Sequence, residues 1–361
     1  MSSPPAKPFF ATLDAMRGIA AFLVMLRHVT FFPDFGFQES YLAVDLFFLL
    51  SGVVIANAYE TRLQGDMSLA GFCWTRALRV FPLYWMGCAL MLVALVRVHA
   101  LKWGLQPGVL LPALLMVPRH LGDPPFPLNH PAWSLFFELL INLLYALLVR
   151  WLSWPRLLLL TAVFGIGLVH VLGVQANLDF GWSHDTLSIA PWRVGFPFFL
   201  GVLLYRAHRH FGRALTARLA QQRLARDVLP WVLVAAATLI LTAAPDSGNQ
   251  ANFDLAAVAL GFPIVIALAL CVPAGGMGHG LARWLGLISY PLYMLHVPFS
   301  VLLRPVIPDH AGLAAAPFAA GLVLVCWLMG AYVDAPLRRG LTRSARTGYA
   351  RMVAYVRRAA S

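Results

Sequence analysis

Long apolar runs separated by short polar connections occupy almost the whole chain. The apolar segments lie near residues 15–33, 42–60, 80–98, 107–118, 133–152, 156–174, 190–206, 228–244, 254–272, 281–303 and 312–335. A membrane-spanning α-helix needs about 20 mostly apolar residues, and every segment except 107–118 approaches that length. The pattern therefore predicts an all-α, polytopic membrane protein.

The placement of basic residues indicates which segments cross the membrane. Arginine and lysine are in excess in cytoplasmic connections, and six arginines fall in 206–226 and seven more in 338–358. If 107–118 crossed, the 206–226 cluster would lie on the opposite side from the basic connection 61–79. We therefore expect ten transmembrane helices, one short re-entrant or interfacial segment at 107–118, and both termini in the cytoplasm.

Composition agrees with this interpretation. The chain is 60% hydrophobic and has a mean hydropathy of +0.74, which is far above the range of soluble proteins. A net charge of +12 would suggest nucleic acid in a soluble protein, but here the arginines mark cytoplasmic segments, so no nucleic-acid partner is expected. Residues 1–337 are predicted to form one transmembrane domain, and residues 338–361 a basic cytoplasmic tail.

Cysteine spacing and the N-terminal sequence exclude two further classes. The four cysteines have neither metal-ligand spacing nor the pattern of a disulfide framework, so we expect free thiols and no bound metal. The N-terminal apolar run is interrupted by Arg27 and His28 and has no small-residue cleavage site. We therefore expect the first span to be retained rather than removed as a signal peptide.

Ionisable residues inside the first apolar segment are a strong sign of a functional site. Charged groups at bilayer depth are costly and usually functional, and Arg17 and His28 both lie in this segment. Eleven residues of helix separate them by about 16 Å, roughly half the hydrocarbon thickness. Arg17 could hold an anionic group near the inner surface while His28 takes part in chemistry deeper in the membrane.

The predicted topology places four ionisable residues at a similar depth in the outer half of the membrane. They come from four different helices: His28, Asp45, Glu138 and His296. A carboxylate can fix the tautomer of a histidine and raise its basicity, so we expect Asp45 or Glu138 to orient His28. The alternative is a set of polar packing residues satisfied in pairs. His130 falls in an outer connection, where we expect a plain surface role.

Two arginines precede the third long segment on the expected cytoplasmic side. Arg76 and Arg79 are three residues apart, on one face of a helix, and guanidinium groups suit the geometry of phosphate. Simple anchoring at the inner membrane surface would explain them equally well, but Arg17 on the same side favours an anion site. The sequence contains no P-loop or dinucleotide fingerprint, so cationic side chains would have to bind a phosphate-rich ligand.

Five sequence blocks contain these residues, and together they suggest a family. The blocks are 13–21 leading to His28, 44–52, 76–79 with 82–85, 131–135 with Glu138, and 288–296. Each block alone is weak, but the ordered set is specific and spans nearly the whole chain. In that order the blocks resemble the acyltransferase-3 family of bacterial integral membrane O-acyltransferases.

The resemblance implies about ten helices in the bacterial inner membrane and acyl-CoA, such as acetyl-CoA, as donor. It implies transfer to a hydroxyl of a cell-surface polysaccharide, a lipid-linked glycan or another glycosylated acceptor, with polysaccharide-assembly proteins as potential partners. By motif match, Arg17 and His28 correspond to the family's essential arginine–histidine pair. Arg76 and Arg79 correspond to its cytoplasmic arginine motif.

These expectations combine into one mechanism. The donor phosphates are expected near Arg17, Arg76 and Arg79, and His28 is expected to remove the proton of the acceptor hydroxyl as it attacks the thioester. Three side chains are candidates to stabilise the developing oxyanion: Tyr293, Ser289 and His296. Direct transfer is favoured because no strong serine or cysteine nucleophile motif is present, and an acyl-histidine intermediate stays open.

Two other functions fit parts of the pattern. A proton-coupled transporter could use the histidine–carboxylate layer as a proton relay, but it leaves Arg76 and Arg79 unexplained. A membrane-bound O-acyltransferase of a different fold also uses a buried histidine, but the long polar re-entrant segments of that family are missing. A non-catalytic scaffold fits least well, because it gives the charges inside the membrane no purpose.

Overall fold

The computed structural model describes residues 10–32, 38–120, 122–245, 247–272, 278–334, 336, 337 and 340. These residues form helices and connections, with no strand among them, so the predicted all-α class is confirmed. The helices are α1 (Ala11–His28), α2 (Ala43–Gln64), α3 (Leu69–Arg97), α4 (Leu101–Gly104), α5 (Pro107–Leu115), α6 (Ala132–Leu148), α7 (Trp154–Leu172), α8 (His184–Leu187), α9 (Ala190–Ala207), α10 (Arg213–Gln221), α11 (Arg223–Asp227), α12 (Leu229–Thr242), α13 (Gln250–Ala256), α14 (Phe262–Cys271), α15 (His279–Leu303) and α16 (Ala316–Leu328).

Short helical turns extend or join several of these helices. A π-helical stretch continues α9 through His208–Gly212, another joins α13 to α14 through Ala257–Gly261, and a third continues α16 through Met329–Asp334. A 3₁₀ turn, Gln38–Leu42, leads into α2. The basic tail predicted for 338–361 lies outside the described residues, apart from residue 340.

The lengths of the helices indicate a multi-pass membrane protein. Among the described residues, six helical stretches are long and apolar enough to cross a membrane: Glu39–Gln64, Leu69–Arg97, Trp154–Leu172, Gln250–Cys271, His279–Leu303 and Ala316–Asp334. The apolar helices α6 and α12 are shorter, and α1 and α9 have 18 residues each and carry ionisable side chains. The count of ten crossings and the cytoplasmic termini stay predictions.

The first helix is shorter than the hydrophobic pattern predicts. We expected it to continue to residue 33, but α1 ends at His28, and Val29 is already extended with φ −98° and ψ 104°. The expected helix end was wrong because Phe31 and Phe32 are buried outside any helix. Apolar residues therefore continue past the helix end, and His28 lies at the C-terminus of α1.

The segment at 107–118 forms a helix that is too short to cross the membrane. Helix α5 has nine residues, which at 1.5 Å per residue span about 14 Å. Its C-terminal carbonyls accept hydrogen bonds from α3, from the Tyr84 hydroxyl to Ala113 (2.6 Å) and from the Trp85 indole to Leu114 (2.9 Å). These bonds hold α5 against the side of the bundle.

Two pairs of neighbouring helices run in the same direction. Along α1 and α15, Arg17 contacts Ser289, and eleven residues later the ring of His28 lies beside that of His296. Along α2 and α9, Asp45 pairs with Arg193 and Glu60 with Arg206. If α5 also crossed the membrane, α9 would have to run antiparallel to α2, and α15 antiparallel to α1. The observed parallel pairs therefore agree with an α5 that does not cross.

Glycines allow α2 and α9 to approach closely between their two ion pairs. A Cβ atom on Gly52 would lie 2.0 Å from the carbonyl oxygen of Phe198, and one on Gly201 would lie 2.1 Å from that of Leu49. Small residues at such crossings let the backbones of membrane helices come into contact. This crossing fixes α2, which carries side chains of both cavities described below.

Candidate active site

A cavity lined by three arginines lies between α1, α2, α3, α6 and α15, and we call it the arginine cavity. Its empty volume is about 910 Å³. Its lining residues are Arg17, Val44, Phe47, Phe48, Leu50, Ser51, Val54, Ile55, Arg76, Arg79, Val80, Ser134, Leu135, Glu138, Ser289, Tyr290 and Tyr293. Three guanidinium groups and one carboxylate share it with an apolar wall that comes mostly from α2, so the cavity has a positive and an apolar part.

Arg17 is held at the arginine cavity by α15. Its Nε donates a hydrogen bond to the Ser289 hydroxyl (2.8 Å), and its Nη2 donates one to the Gly286 carbonyl (2.8 Å). The same nitrogen lies 3.0 Å from the Asp14 carboxylate, one turn earlier on α1. Ser289 is thus occupied with Arg17, eleven residues before His28 on α1, so the structure does not support it as a donor to an oxyanion beside His28.

Glu138 lies in the arginine cavity rather than beside His28. Its carboxylate accepts a hydrogen bond from Arg76 (2.5 Å) and another from the Ser51 hydroxyl (3.2 Å). The structure therefore corrects the expected single layer, because Glu138 belongs with the arginines. Ser51 lies six residues, about 9 Å, beyond Asp45 along α2, so Glu138 lies nearer the arginine end of the bundle than its predicted depth.

Arg79 completes the positive lining of the cavity. Its guanidinium lies over the ring of Tyr290, 5.2 Å from the centroid, and its Nη1 is 3.4 Å from the Asp334 carboxylate. About 30% of the side chain remains exposed, as does about 31% of the Arg17 side chain. Both guanidiniums therefore remain accessible to an anion that enters the cavity.

A second cavity, the histidine cavity, lies beyond the first. Its empty volume is about 790 Å³. Its lining residues are Val24, Arg27, His28, Tyr41, Val44, His130, Pro131, Trp133, Asp179, Trp182, Arg193 and Tyr293. Arg27 and Asp179 form an ion pair of 2.7 Å at this cavity. The lining combines indole rings with charged and imidazole groups, as expected of a site for a polar organic molecule.

A backbone carbonyl orients His28. Its Nδ1 lies 2.8 Å from the carbonyl oxygen of Val24, one turn earlier on α1. A carbonyl oxygen only accepts hydrogen bonds, so neutral His28 carries its proton on Nδ1 and has the lone pair on Nε2. The side chain is exposed at the cavity, and this tautomer suits a general base.

Asp45 does not contact His28, contrary to expectation. Both of its oxygens accept hydrogen bonds from Arg193, the shortest being 2.8 Å, and both side chains are almost completely buried. Arg193 also donates to the carbonyls of Phe180 and Tyr41. The expected role of Asp45 in orienting His28 is therefore corrected, because a buried guanidinium needs a carboxylate partner and Asp45 supplies it.

His296 lies behind His28 and lines neither cavity. The two ring centroids are 5.4 Å apart, and His296 is fully buried. Its Nδ1 lies 3.0 Å from the Leu292 carbonyl, and its Nε2 has no hydrogen-bond partner among the described residues. His296 is therefore a neighbour of the His28 ring rather than a group that reaches the cavity.

His130 has a larger place in the site than the sequence suggests. We expected a surface role, but its ring lies 6.5 Å from that of His28 and 5.7 Å from Trp182, and it is half-buried in the cavity lining. Burial, and after it the unfavourable interaction with the neighbouring His28 imidazole when both are protonated, lowers the pKa of His130 to about 4. His130 is therefore neutral at ordinary pH and can donate or accept a hydrogen bond there.

Two side chains, Val44 and Tyr293, line both cavities and separate them. The Tyr293 hydroxyl is 2.7 Å from that of Ser134, and its ring meets Phe47 edge to face at 5.6 Å. Tyr293 also lies 6.2 Å from the ring of His296. The arginine cavity and the histidine cavity therefore meet at a thin wall that carries a hydroxyl pair.

Sequence reasoning missed Arg193, although a signal for it was present. Arg193 falls within the apolar segment at 190–206, and an arginine inside a membrane segment requires a partner. Asp45 was the obvious acidic partner on another helix. Pairing these two residues would have removed Asp45 from the candidates for orienting His28.

Comparisons with known proteins identify the family of the chain. The family model described as an acyltransferase domain matches residues 10–331, which is most of the chain. A curated relative, protein 2 in the picA locus of Rhizobium radiobacter, is 37% identical over a match that covers 41% of this chain and 84% of the relative. No solved structure matches the chain. The chain belongs to the acyltransferase-3 family.

Proposed function

We propose that this protein is a membrane O-acyltransferase that moves an acyl group, most simply an acetyl group, from acyl-CoA to a hydroxyl group. The proposed acceptor is a cell-surface polysaccharide, a lipid-linked glycan or another glycosylated molecule. One observation carries the proposal: a cavity lined by three arginines and a cavity containing His28 meet at the wall formed by Val44 and Tyr293. A donor and an acceptor could therefore approach one point from opposite sides.

The arginine cavity fits the donor by charge and by polarity. Arg17, Arg76 and Arg79 can neutralise phosphate oxygens through charge-assisted hydrogen bonds, and one carboxylate, Glu138, leaves the lining with a net positive charge. The apolar wall from α2 suits the uncharged arm that links the nucleotide to the thioester. The phosphates would then bind at the arginines, with the acyl group directed toward Tyr293.

The chemistry proposed for His28 is general-base catalysis. Its Nε2 removes the proton of the acceptor hydroxyl while that oxygen forms a bond to the thioester carbonyl carbon. The carbon–sulfur bond then breaks, the coenzyme A thiolate leaves, and it receives the proton held by His28. The bond from Nδ1 to Val24 keeps the ring in the required tautomer throughout.

Tyr293 is the best-placed donor for the oxyanion that forms during transfer. Its hydroxyl lies in the wall shared by the two cavities and already bonds to Ser134. Ser289 is held by Arg17, and His296 lies behind the cavity. Replacing Tyr293 by phenylalanine removes the donor while it keeps the wall, and a loss of about 10²-fold in turnover is expected for one such donor.

Mass spectrometry of surface glycans tests the proposed function. Cells that lack the gene are complemented with the wild-type gene or with the His28→Gln variant, and alkali-labile acyl groups on the surface polysaccharide are measured. We expect the wild-type protein alone to restore them. If the acyl content is the same with and without the gene, the proposed acceptor class is wrong.

A transport assay distinguishes the rival function. A proton-coupled transporter would move a substrate without consuming acyl-CoA, so purified protein in vesicles would show flux but no release of free coenzyme A. The acyltransferase proposal expects coenzyme A release that depends on the acceptor and on His28. Flux without any coenzyme A release, lost in His28→Gln, would favour transport with His28 as the proton relay.

A further inference from the structure

A third cavity lies apart from the two already described, at the end of the bundle where α2 and α9 end and α7 begins. We call it the lateral cavity. Its empty volume is about 890 Å³, and its lining residues are Glu60, Gln64, Leu152, Trp154, Arg206, Arg209, His210 and Arg213. It shares no lining residue with the arginine or histidine cavities. The proposed acyl transfer makes no use of it.

The basic residues of the lateral cavity come from one continuous helical stretch at the end of α9 and the start of α10. Arg206, Arg209, His210 and Arg213 follow the spacing i, i+3, i+4 and i+7, along the end of α9, its π-helical continuation and the first residue of α10. Three arginines face a single carboxylate, that of Glu60. The lining is therefore strongly positive before histidine is counted.

The carboxylate of Glu60 already accepts hydrogen bonds, whereas one nitrogen of Arg206 has no partner among the described residues. Glu60 accepts hydrogen bonds from the Tyr145 hydroxyl (2.7 Å) and from Nε of Arg206 (3.1 Å), and Nη1 of Arg206 donates to the Leu152 carbonyl. Nη2 of Arg206 is buried, with no hydrogen-bond partner among the described residues. Because a buried donor without a partner is costly, this atom indicates a missing acceptor in the cavity.

The surroundings of the cavity indicate that the missing acceptor belongs to a lipid. Trp154 is 38% exposed and neighbouring Trp151 is 65% exposed, and tryptophan is enriched at the membrane–water interface. Just over one turn further along α7 from Trp154, Leu158 and Leu159 are 55% and 66% exposed. Acyl chains could lie along these leucines while a headgroup reaches the arginines.

We propose that the lateral cavity binds the phosphate headgroup of an anionic phospholipid. Basic pockets between membrane helices are suited to such headgroups. Arg206 supplies a fixed buried donor, and Arg209 and Arg213 supply exposed guanidinium groups in the lining of the same cavity. The ligand class is a phosphodiester with a negative charge and two acyl chains.

Lipid binding to the purified full chain tests this proposal without any measurement of activity. The protein in neutral detergent is titrated with phosphatidylglycerol or with phosphatidylcholine of the same acyl chains, and binding is followed by native mass spectrometry and by thermal stability. The test variant is Arg209→Gln with Arg213→Gln, and the control is Arg218→Gln with Arg223→Gln, which changes the same charge at exposed sites outside the cavity.

We expect phosphatidylglycerol to bind and to stabilise the wild type and the control more than phosphatidylcholine does. In the test variant the affinity for phosphatidylglycerol should fall about 30-fold, because two basic residues are removed and each contributes about 1 kcal/mol near an anionic membrane surface. Equal binding of the two lipids, or an equal loss in test and control variants, would overturn the proposal. If inorganic phosphate or coenzyme A displaces the lipid at millimolar concentration, the site takes a soluble anion and the lipid assignment is wrong.

Discussion

At the scale of single residues, backbone carbonyls orient the histidine rings, a role that was expected of carboxylates. His28 and His296 both bond through Nδ1 to the carbonyl one turn earlier. Asp45 and Glu138 are instead paired with arginines. The histidine ring can therefore be oriented by its own helix, which leaves the carboxylates free to hold the bundle together or to shape the arginine cavity.

His28→Gln tests the proposed base directly. Glutamine can fill the space and form hydrogen bonds but cannot take up a proton, so acyl transfer should fall by at least about 10²-fold. The control is His170→Gln, the same change at an exposed histidine in the last turn of α7. Acylated product per amount of expressed protein is measured, and near-full activity of His28→Gln at normal expression would remove His28 from the mechanism.

Arg79→Ala and Arg76→Ala test the proposed donor site. Each removes a charge-assisted contact to phosphate, worth roughly 1.5–3 kcal/mol, so binding of acetyl-CoA measured by calorimetry should weaken at least about tenfold. Arg62→Ala, an exposed arginine at the same end of the bundle, is the control. Because Arg76 also neutralises Glu138, the double variant Arg76→Ala with Glu138→Gln is needed, and its full recovery of binding would show that Arg76 serves only as a partner of Glu138.

Asp45→Asn should affect stability more than chemistry. It leaves the buried Arg193 guanidinium without its carboxylate, and breaking a buried pair from one side costs about 3–5 kcal/mol. We expect a lower melting temperature in detergent, with activity per folded molecule largely kept. Asp45→Leu with Arg193→Met should recover much of the stability, whereas a stable Asp45→Asn protein without activity would restore Asp45 as a catalytic group.

The sequence predicted which residues line the cavities better than it predicted their partners. Arg17, His28, Arg76 and Arg79 were identified from charge inside or beside apolar segments, and all four line the two cavities. The layer argument for Glu138 failed because an apolar run does not fix the depth of each residue along its helix. The Ser51 contact places Glu138 further toward the arginine cavity than the pattern predicted, and an error of about six residues corresponds to about 9 Å, which is enough to move a side chain from one cavity to another.

At the scale of the helices, the α2–α9 crossing fixes the position of α2 relative to α9. Gly52 and Gly201 let the two backbones touch, and the ion pairs Asp45–Arg193 and Glu60–Arg206 lie on either side of the contact. The first pair lies beside the histidine cavity and the second beside the lateral cavity. A change at the crossing should therefore reach both cavities.

Gly201→Ala should separate α2 from α9. The new methyl carbon would lie 2.1 Å from the Leu49 carbonyl oxygen, and overpacking of this kind typically costs about 1–3 kcal/mol. A fall in melting temperature is expected in detergent. Gly321→Ala, in a helix interior with nothing within 4 Å of the added carbon, is the matched control and should be neutral or slightly stabilising. Equal stability of the two variants would contradict the close crossing.

Hydrophobic patterning predicted the helices well but not all of their ends. The short α5 was expected from its prolines and length, and it has nine residues. The end of α1 was placed too late because burial of Phe31 and Phe32 continues the apolar run into a non-helical connection. A hydrophobic pattern reports that a segment is buried in protein or faces lipid, and such a segment need not be helical throughout.

At the scale of the whole molecule, charge and packing agree on the direction of the helices. The basic connections favour an α5 that does not cross, and the parallel pairs α1–α15 and α2–α9 agree with the same even or odd number of crossings between the paired helices. These two arguments are independent, because one uses the exposed ends of the helices and the other their buried contacts. The long-range contacts were beyond the reach of the sequence, since nothing in a hydrophobic pattern says which helices are neighbours.

Reporter fusions test the resulting topology. Fusions after residue 66, between α2 and α3, and after residue 215, beyond α9, should both read cytoplasmic, whereas a fusion after residue 120 should read extracytoplasmic. The reason is that one crossing, α3, separates residue 66 from residue 120, whereas α3, α6, α7 and α9 separate residue 66 from residue 215. A cytoplasmic reading at 120 would mean that α5 crosses, and the parallel pairing of α2 with α9 would then need a different count of crossings. A cytoplasmic reading at 66 and 215 would also place the arginine cavity and the lateral cavity toward the cytoplasm, where acyl-CoA and the more anionic leaflet are found.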